Sequence, residues 1–578
     1  MAIASVHQRF AETAAARPQS DGLWIDDVTA AAYGIRAGGI TWQAQLAEVD
    51  RLRTAYAAAG YGHGHRVALL LENRPAFLFH WLALNAIGCS VVPLHADLRA
   101  AELEYMLGHS EAVLAVVLPD RVVDVQSAAD VAGHGCRAVS HEAVADAVPR
   151  AAHAAAKAGA SIGLATECAL LYTSGTTGRP KGCMLSNDYF LRAGRWYAQL
   201  DGACSVRPHA ERIITPLPLN HVNAMAFSTM VVWTAGGCLV QLDRFHPGSW
   251  WDSVRASGAT ILHYLGVMPA MLLAAPASAN DREHRVRWAF GAGVDRRNHA
   301  PFEDRFGFPL VEAWAMTETG AAACIMANHD PRHVGTHCFG KPEPFVQVRL
   351  VDDEGRDVPA GTPGELLVRS SGDEPRAGFF GGYLKDEAAT AQAWAGGWFH
   401  TGDVVRADEQ GLLYFVDRRK NVIRRSGENI SALEVESVLN QHPAVKTAAV
   451  AAAPDAIRGD EVLACIVARE AIPAVDRERV ARSIVEHALS RLAYHKAPGY
   501  VAFVDGLPLT VSQKIQRGQL KELARTLPGH ANCIDTRAMK KRQSPSPQPS
   551  PASGRGSKTD SNSLSPSGGE GRGEGVSP

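Results

Sequence analysis

Tyr172-Thr173-Ser174-Gly175-Thr176-Thr177-Gly178-Arg179-Pro180-Lys181-Gly182 stands directly after the apolar run Ala169-Leu170-Leu171. Small hydroxyl residues and glycines crowd this stretch, and a lysine closes it. Glycines let backbone N–H groups approach an anion, hydroxyls donate further hydrogen bonds, and Lys181 supplies a point charge. The arrangement suits a loop that grips phosphate. It is not a Walker A loop, which requires glycine before the lysine and Ser or Thr after it, where this chain has Pro180 and Gly182. An isolated Gly/Thr-rich stretch is ordinarily a surface loop, so the reading depends on its surroundings.

Outward from this loop the chain alternates helix and strand. Apolar residues recur at helical spacing from Pro75 to Ile87, and Cys89 to Leu94 reads as a short buried strand. The rhythm returns as a helix over Ser249 to Gly258, a strand over Thr260 to Leu265 and a helix over Pro269 to Leu273, the pattern of sheets covered by helices. Between Val346 and Arg369 short β-type runs are joined by turn-rich segments. After Leu412 to Val416 comes the basic run Arg418-Arg419-Lys420. Then follow a helix (Ala432 to Asn440), a strand (Ala444 to Ala452) and a helix (Arg477 to Leu492). The expected fold is α/β, with a large N-terminal domain of layered α/β sheets carrying a β subdomain over 1–419. A small α+β C-terminal domain over 420–530 follows, joined by a hinge near Lys420. The Pro/Ser/Gly-rich tail, 531–578, has almost no apolar residues beyond about Met539 to offset chain entropy and is expected to be disordered.

Composition narrows the partners. Lys plus Arg total 58 against 60 Asp plus Glu, so no charge excess argues for nucleic acid or an anionic membrane as the main partner. The ten cysteines show no CxxC pair or regular spacing and read as reduced thiols. The N-terminus lacks the basic and apolar regions of a signal peptide. The apolar stretch from Phe77 to Leu94 is interrupted by His80, Asn85, Gly88 and Pro93. A cytoplasmic location and small-molecule partners are expected, with a homodimer left open.

Six further motifs lie in order along the chain. Pro216-Leu-Pro-Leu-Asn220-His221 places a histidine beside an apolar run. Phe290-Gly291-Ala292-Gly293 is a glycine-containing strand end, followed by Trp314-Ala315-Met316-Thr317-Glu318. Gly397 to Asp403 ends in a carboxylate whose two acceptor oxygens suit a vicinal diol. Asp417-Arg418-Arg419-Lys420 runs on to Gly427-Glu428, and Leu507 to Arg517 contains Lys514. Each alone has a bland reading as a turn, a helix start or a solvated face.

Together with the loop, these motifs resemble the superfamily of acyl- and aryl-CoA synthetases, adenylation domains and firefly-type luciferases over roughly residues 5 to 525. The wording from Phe245 to Met271 looks more like carnitine/crotonobetaine-type and medium-chain ligases. The resemblance implies that Thr173, Ser174, Gly175, Thr176, Thr177, Gly178 and Lys181 hold the β- and γ-phosphates of ATP. It implies that Gly291, Ala292 and Gly293 approach adenine and the acyl group, that Trp314 packs on adenine, and that Thr317 contacts the α-phosphate. Glu318 would help hold Mg²⁺, Asp403 and Arg418 the ribose, and Gly427 the C-terminal loop. His221 would gate the acyl pocket. Lys514 would be the catalytic lysine, neutralising charge as the adenylate forms. This copy departs from the pattern at Trp314 (usually Tyr), Ala315 (usually Gly) and Gln513 (usually Gly).

The implied activity is an AMP-forming ligase that uses ATP and Mg²⁺ to activate a carboxylic acid and passes the acyl group to coenzyme A. The loop Arg424-Arg-Ser-Gly427-Glu-Asn429 would line the pantetheine tunnel, and His221, Met225, Trp288 and Trp314 would shape the acid pocket. A stand-alone enzyme loading a carrier protein is the same-fold rival, and a non-catalytic nucleotide-binding regulator the rival of a different class.

Overall fold

A computed structural model describes residues 3–173, 179–294, 296–352, 354–418, 422–426, 428–508, 515 and 517–540. Two sheets build most of the N-terminal part. The first has eight strands in the spatial order Ile325–Met326, Leu310–Trp314, Trp288–Ala292, Ile261–Leu265, Arg212–Thr215, Cys238–Gln241, Asp21–Ile25 and Gly38–Thr41. Its inner pairings are parallel and its two edge pairings antiparallel. Every residue of Leu310–Trp314 is buried, which is why such strands read as continuous apolar runs rather than alternating ones.

The second sheet has six strands in the order Arg137–Ser140, Leu114–Val117, Arg66–Leu70, Ser90–Pro93, Glu167–Thr173 and Lys181–Ser186. All pairings are parallel except the last, in which Thr173 faces Lys181 across an antiparallel hairpin. The glycine-rich loop is therefore the hairpin connection. The chain leads from it into the strand Lys181–Ser186, whereas a Walker A loop leads into a helix N-terminus. The helices between the sheets bury an aromatic core. Phe10 packs on Trp42 and Trp233 with ring centroids 5.6 and 5.5 Å apart, and Trp81 lies 5.1 Å from Trp233.

A five-stranded antiparallel sheet (Cys338–Gly340, Leu413–Arg418, Phe399–Ala407, Gly364–Ser370, Val346–Val351) forms the expected β subdomain. Residues from Val422 onward build a six-stranded sheet with helices Ala432–Leu439, Arg477–Leu489 and Arg517–Thr526. This part has its own core, with Ile423, Val435, Val450, Ile466 and Ile484 on one face and Leu463, Leu520 and Ala524 on the other. The α/β class and the large-plus-small arrangement match the expectation from sequence.

Two features differ from it. The strand Gly459–Ala468, absent from the periodicity reading, is the centre of the small sheet and pairs with Val445–Asp455. The tail boundary at 531 also falls too early. Cys533–Asp535 pairs with Tyr500–Phe503, and Lys540 is buried, because its ammonium meets Glu461 inside the domain. The rest of the tail and Lys420, the expected hinge, lie outside the described residues.

Candidate active site

The strands Ile261–Leu265 and Trp288–Ala292 both end at a cavity of about 2060 Å³, at the carboxyl edge of the sheet where α/β folds place ligands. The two strand ends approach so closely that a Cβ on Gly291 would collide with the Tyr264 carbonyl oxygen, and one on Gly266 with the Gly293 carbonyl oxygen. Gly291, Ala292 and Gly293 thereby present bare backbone to the cavity. Glu312 holds this turn. Its carboxylate accepts from the Gly293 and Val294 N–H groups at 3.0 and 2.9 Å. Burial raises the Glu312 carboxyl above its ordinary range, against the lowering effect of those two donors. Sequence reading did not single out Glu312; the available signal was a lone carboxylate within the apolar strand Leu310–Trp314.

Thr173, Lys181, Thr317 and Glu318 line the polar end of the same cavity. Lys181 Nζ lies 3.4 Å from Asp386 Oδ2 and 4.9 Å from the centre of the Tyr383 ring. The Tyr383 hydroxyl donates to Glu318 Oε1 at 2.9 Å, and burial, with Glu318 adding to it, drives that phenol far above its ordinary range. It stays protonated as a donor. The backbone around the motif is fixed from both sides. The Tyr189 hydroxyl donates to the Thr317 carbonyl at 2.9 Å, and the Phe380 N–H donates to the Glu318 carbonyl at 2.9 Å.

Trp314 and Asp403 are brought to each other. The indole Nε1–H donates to Asp403 Oδ2 at 2.9 Å, both side chains are buried, and neither is among the cavity-lining residues. The neighbours of Asp403, Thr401 and Gly402, do line it. Asp403 pairs across the sheet with Arg418 in backbone register.

The small C-terminal part closes the cavity through Arg424, Arg425, Ser426 and Glu428 and through Tyr494 to Lys496. His221 Nε2 lies 3.3 Å from Glu428 Oε2, and His95 Nε2 lies 3.5 Å from Glu428 Oε1. The His495 ring stands edge-on to His95 at 5.5 Å. Burial alone would raise the Glu428 carboxyl, but His221, with His95 and His495, holds it well below the carboxylate range. Beside this cluster, Lys496 Nζ bridges Glu102 Oε1 at 2.6 Å and Glu434 Oε1 at 2.8 Å, tying the two parts of the chain together. His95, Glu102, His495 and Lys496 were missed from sequence, because contacts spanning hundreds of residues leave no local pattern. Ser174 to Gly178, Gly427 and Lys514 lie outside the described residues.

The model of an AMP-binding enzyme matches residues 25–384, and that of an AMP-binding enzyme C-terminal domain matches residues 434–514. The chain is an AMP-binding enzyme. It is 30% identical over 486 residues to the crotonobetaine/carnitine–CoA ligase of Shigella sonnei, covering 82% of this chain and 91% of that one. Among solved structures it is similar to a double mutant of o-succinylbenzoate CoA synthetase from Bacillus subtilis bound with its product analogue. There the TM-score is 0.75 at 23% identity, covering 89% of this chain and 98% of the other. The same Bacillus enzyme in complex with its acyl-adenylate intermediate overlays with a TM-score of 0.61 at 23% identity, covering 89% and 97%.

For an AMP-binding enzyme the fit to Mg²⁺ can be tested on the donor set. Among the described residues no group of three His, Cys, Asp or Glu could hold a metal ion by itself. Glu318 offers one carboxylate at the polar end of the cavity, which suits a Mg²⁺ that arrives on triphosphate oxygens and needs a single protein ligand. No described helix is long and apolar enough to cross a membrane.

Proposed function

We infer that this AMP-binding enzyme is an AMP-forming acid–thiol ligase. The observation that carries the reading is one continuous cavity joining a polar end (Thr173, Lys181, Thr317, Glu318) to an apolar end (Phe227, Val267, Met268, Phe290), with the Arg424–Glu428 face of the C-terminal part as its third wall. A carboxylate oxygen attacks the α-phosphorus of ATP, the bond to the β-phosphate oxygen breaks, and pyrophosphate leaves. The coenzyme A sulfur then attacks the acyl carbon, and AMP departs.

In this reading Thr173, Ser174, Gly175, Thr176, Thr177, Gly178 and Lys181 clamp the leaving pyrophosphate, and Thr317 holds the α-phosphate. Glu318 holds Mg²⁺, whose charge would offset the negative charge gathered on the phosphates. Asp403 and Arg418 take the ribose, Gly291 to Gly293 the adenine, and Trp314 backs Asp403 from behind rather than stacking on the base. His221, held by Glu428, stands at the entrance to the acid pocket. Lys514 stabilises the charge of the adenylating transition state. That the chain overlays better on the product-analogue complex of the Bacillus enzyme than on its adenylate complex supports assigning the described arrangement to thiol transfer. Adenylation then requires the C-terminal part to swing about Lys420 and bring in Lys514. The free state of all ten cysteines fits a reducing, cytoplasmic compartment.

The test is pyrophosphate release from a panel of carboxylic acids, with and without coenzyme A. Thioester formation with free coenzyme A is expected. Pyrophosphate release without it, and turnover only with a carrier protein, would instead favour carrier loading. Lys514→Ala is expected to abolish adenylate formation while ATP still binds, and near-normal acid-dependent pyrophosphate exchange in that variant would remove Lys514 from its role.

A further inference from the structure

Asn223 is a polar side chain set among apolar residues of the cavity. It opens a π-helical turn, Asn223–Ser228, two residues after His221 and faces the cavity beside Phe227 and Phe290. Behind it lies His263, fully buried on the strand Ile261–Leu265. His263 Nδ1 is 2.7 Å from Asn223 Oδ1 and 2.8 Å from Ser228 Oγ, and Nε2 is 2.8 Å from the Tyr197 hydroxyl.

The protons in this chain can be assigned. Asn223 Oδ1, an oxygen that can only accept, is the nearer neighbour of His263 Nδ1, so Nδ1 carries the ring proton. Nε2 is then the acceptor of the Tyr197 O–H. Burial keeps the imidazole neutral, with its pKa lowered to about 3, so the ring carries a single proton at neutral pH. Asn223 Oδ1 is thereby turned inward, and its NH₂ is the amide atom on the cavity side. Among the described residues that NH₂ has no hydrogen-bond partner.

We propose that Asn223 is a specificity-determining residue for the acid: its NH₂, oriented by His263 and Tyr197, receives an oxygen acceptor on the acyl chain, so the preferred substrates are oxygenated acids carrying a keto, hydroxyl or ether oxygen. The proposal rests on the ligase reading above. A plain hydrocarbon chain would strip this donor of water and give it nothing in return, and sites built around a hydrogen bond discriminate against analogues that lack it. Tyr197 and His263 act through Asn223 and are positioning residues.

Straight-chain and aryl acids paired with oxo and ether counterparts of equal length supply the test, read as kcat/KM for pyrophosphate release. The intact chain is expected to favour the oxygenated member by about tenfold or more. Asn223→Leu should erase or reverse that preference, with Asn223→Ala serving where the leucine variant does not fold. Tyr197→Phe, which frees the tautomer, should lose part of the preference through KM rather than kcat. Equal kcat/KM within pairs for the intact chain, or an unchanged ratio in the Asn223 variants, overturns the proposal. Should no acid in the panel drive pyrophosphate release by the intact chain, the ligase reading itself falls and takes this proposal with it.

Discussion

Trp314 and Asp403 meet across 89 residues of sequence, through one indole N–H and one carboxylate oxygen. Trp314→Phe keeps a ring in the wall and deletes the donor. A hydrogen bond to a charged group contributes about 1.5–3 kcal/mol, so this variant should melt earlier and show a changed KM for ATP, with kcat for hydrocarbon acids little altered. Thermal melts and ATP titrations check both parts. Glu312→Gln acts at the other side of the cavity. One carboxylate oxygen becomes an NH₂ facing a backbone N–H, and leaving a buried donor unpaired costs about 1–3 kcal/mol. Lower stability in urea and a raised KM are expected. These two residues differ in how far sequence could reveal them. Glu312 interrupts an apolar run and was visible in principle, whereas the tryptophan's partner depends on how two sheets stack. The motif reading carries no information on ring orientation, so the indole's bond to Asp403 could not be read from it.

Elements were more legible than contacts. The helices Pro75–Ala86 and Arg477–Leu489 and the strands Ile261–Leu265 and Val346–Val351 follow their hydrophobic periods, since burial of one face or of both is written into local sequence. The end of the small domain was less legible. The segment Cys533–Asp535 is short and half-polar, and it is held by the buried Lys540, whose ammonium contacts Glu461 and donates to the His495 carbonyl at 3.2 Å. Arg425 shares Glu461 at 2.9 Å. Burial, with Arg425 adding to it and Glu461 opposing, lowers Lys540 to about 7. A free lysine titrates near 10.4. Between about pH 7 and 10.4 the released segment therefore binds a proton that the docked segment does not, and docking strengthens as pH rises through that window, by up to about tenfold per pH unit. Hydrogen exchange of residues 533–540, corrected for intrinsic rates, should show protection increasing with pH. Lys540→Met should flatten that dependence.

At the scale of the whole molecule the two parts of the chain are joined by Lys496 between Glu102 and Glu434. Burial raises the Glu434 carboxyl, Lys496 partly reverses this, and the nearby Glu102 adds to the rise. Lys496→Met would leave two carboxylates facing each other without a cation, and the docked arrangement should lose population. Because that arrangement is assigned to thiol transfer, thioester formation should slow more than pyrophosphate release. Equal slowing of the two steps would argue that Lys496 does not select between arrangements. None of this was legible in the sequence: Lys496 sits in an unremarkable Tyr-His-Lys-Ala run, and its partners belong to another part of the chain.

The strand Cys533–Asp535 has a practical consequence for anyone who shortens this protein. The matched C-terminal domain ends at residue 514, before the helix Arg517–Thr526 and before this strand. A fragment cut there would strip one side of Tyr500–Phe503 of its backbone partners and uncover the apolar surface that Leu520 and Ala524 shield. An unpaired strand beside exposed hydrophobic residues is a template for self-association. Such a fragment should precipitate or form oligomers on expression, while one ending just past Lys540 should remain monodisperse in light scattering.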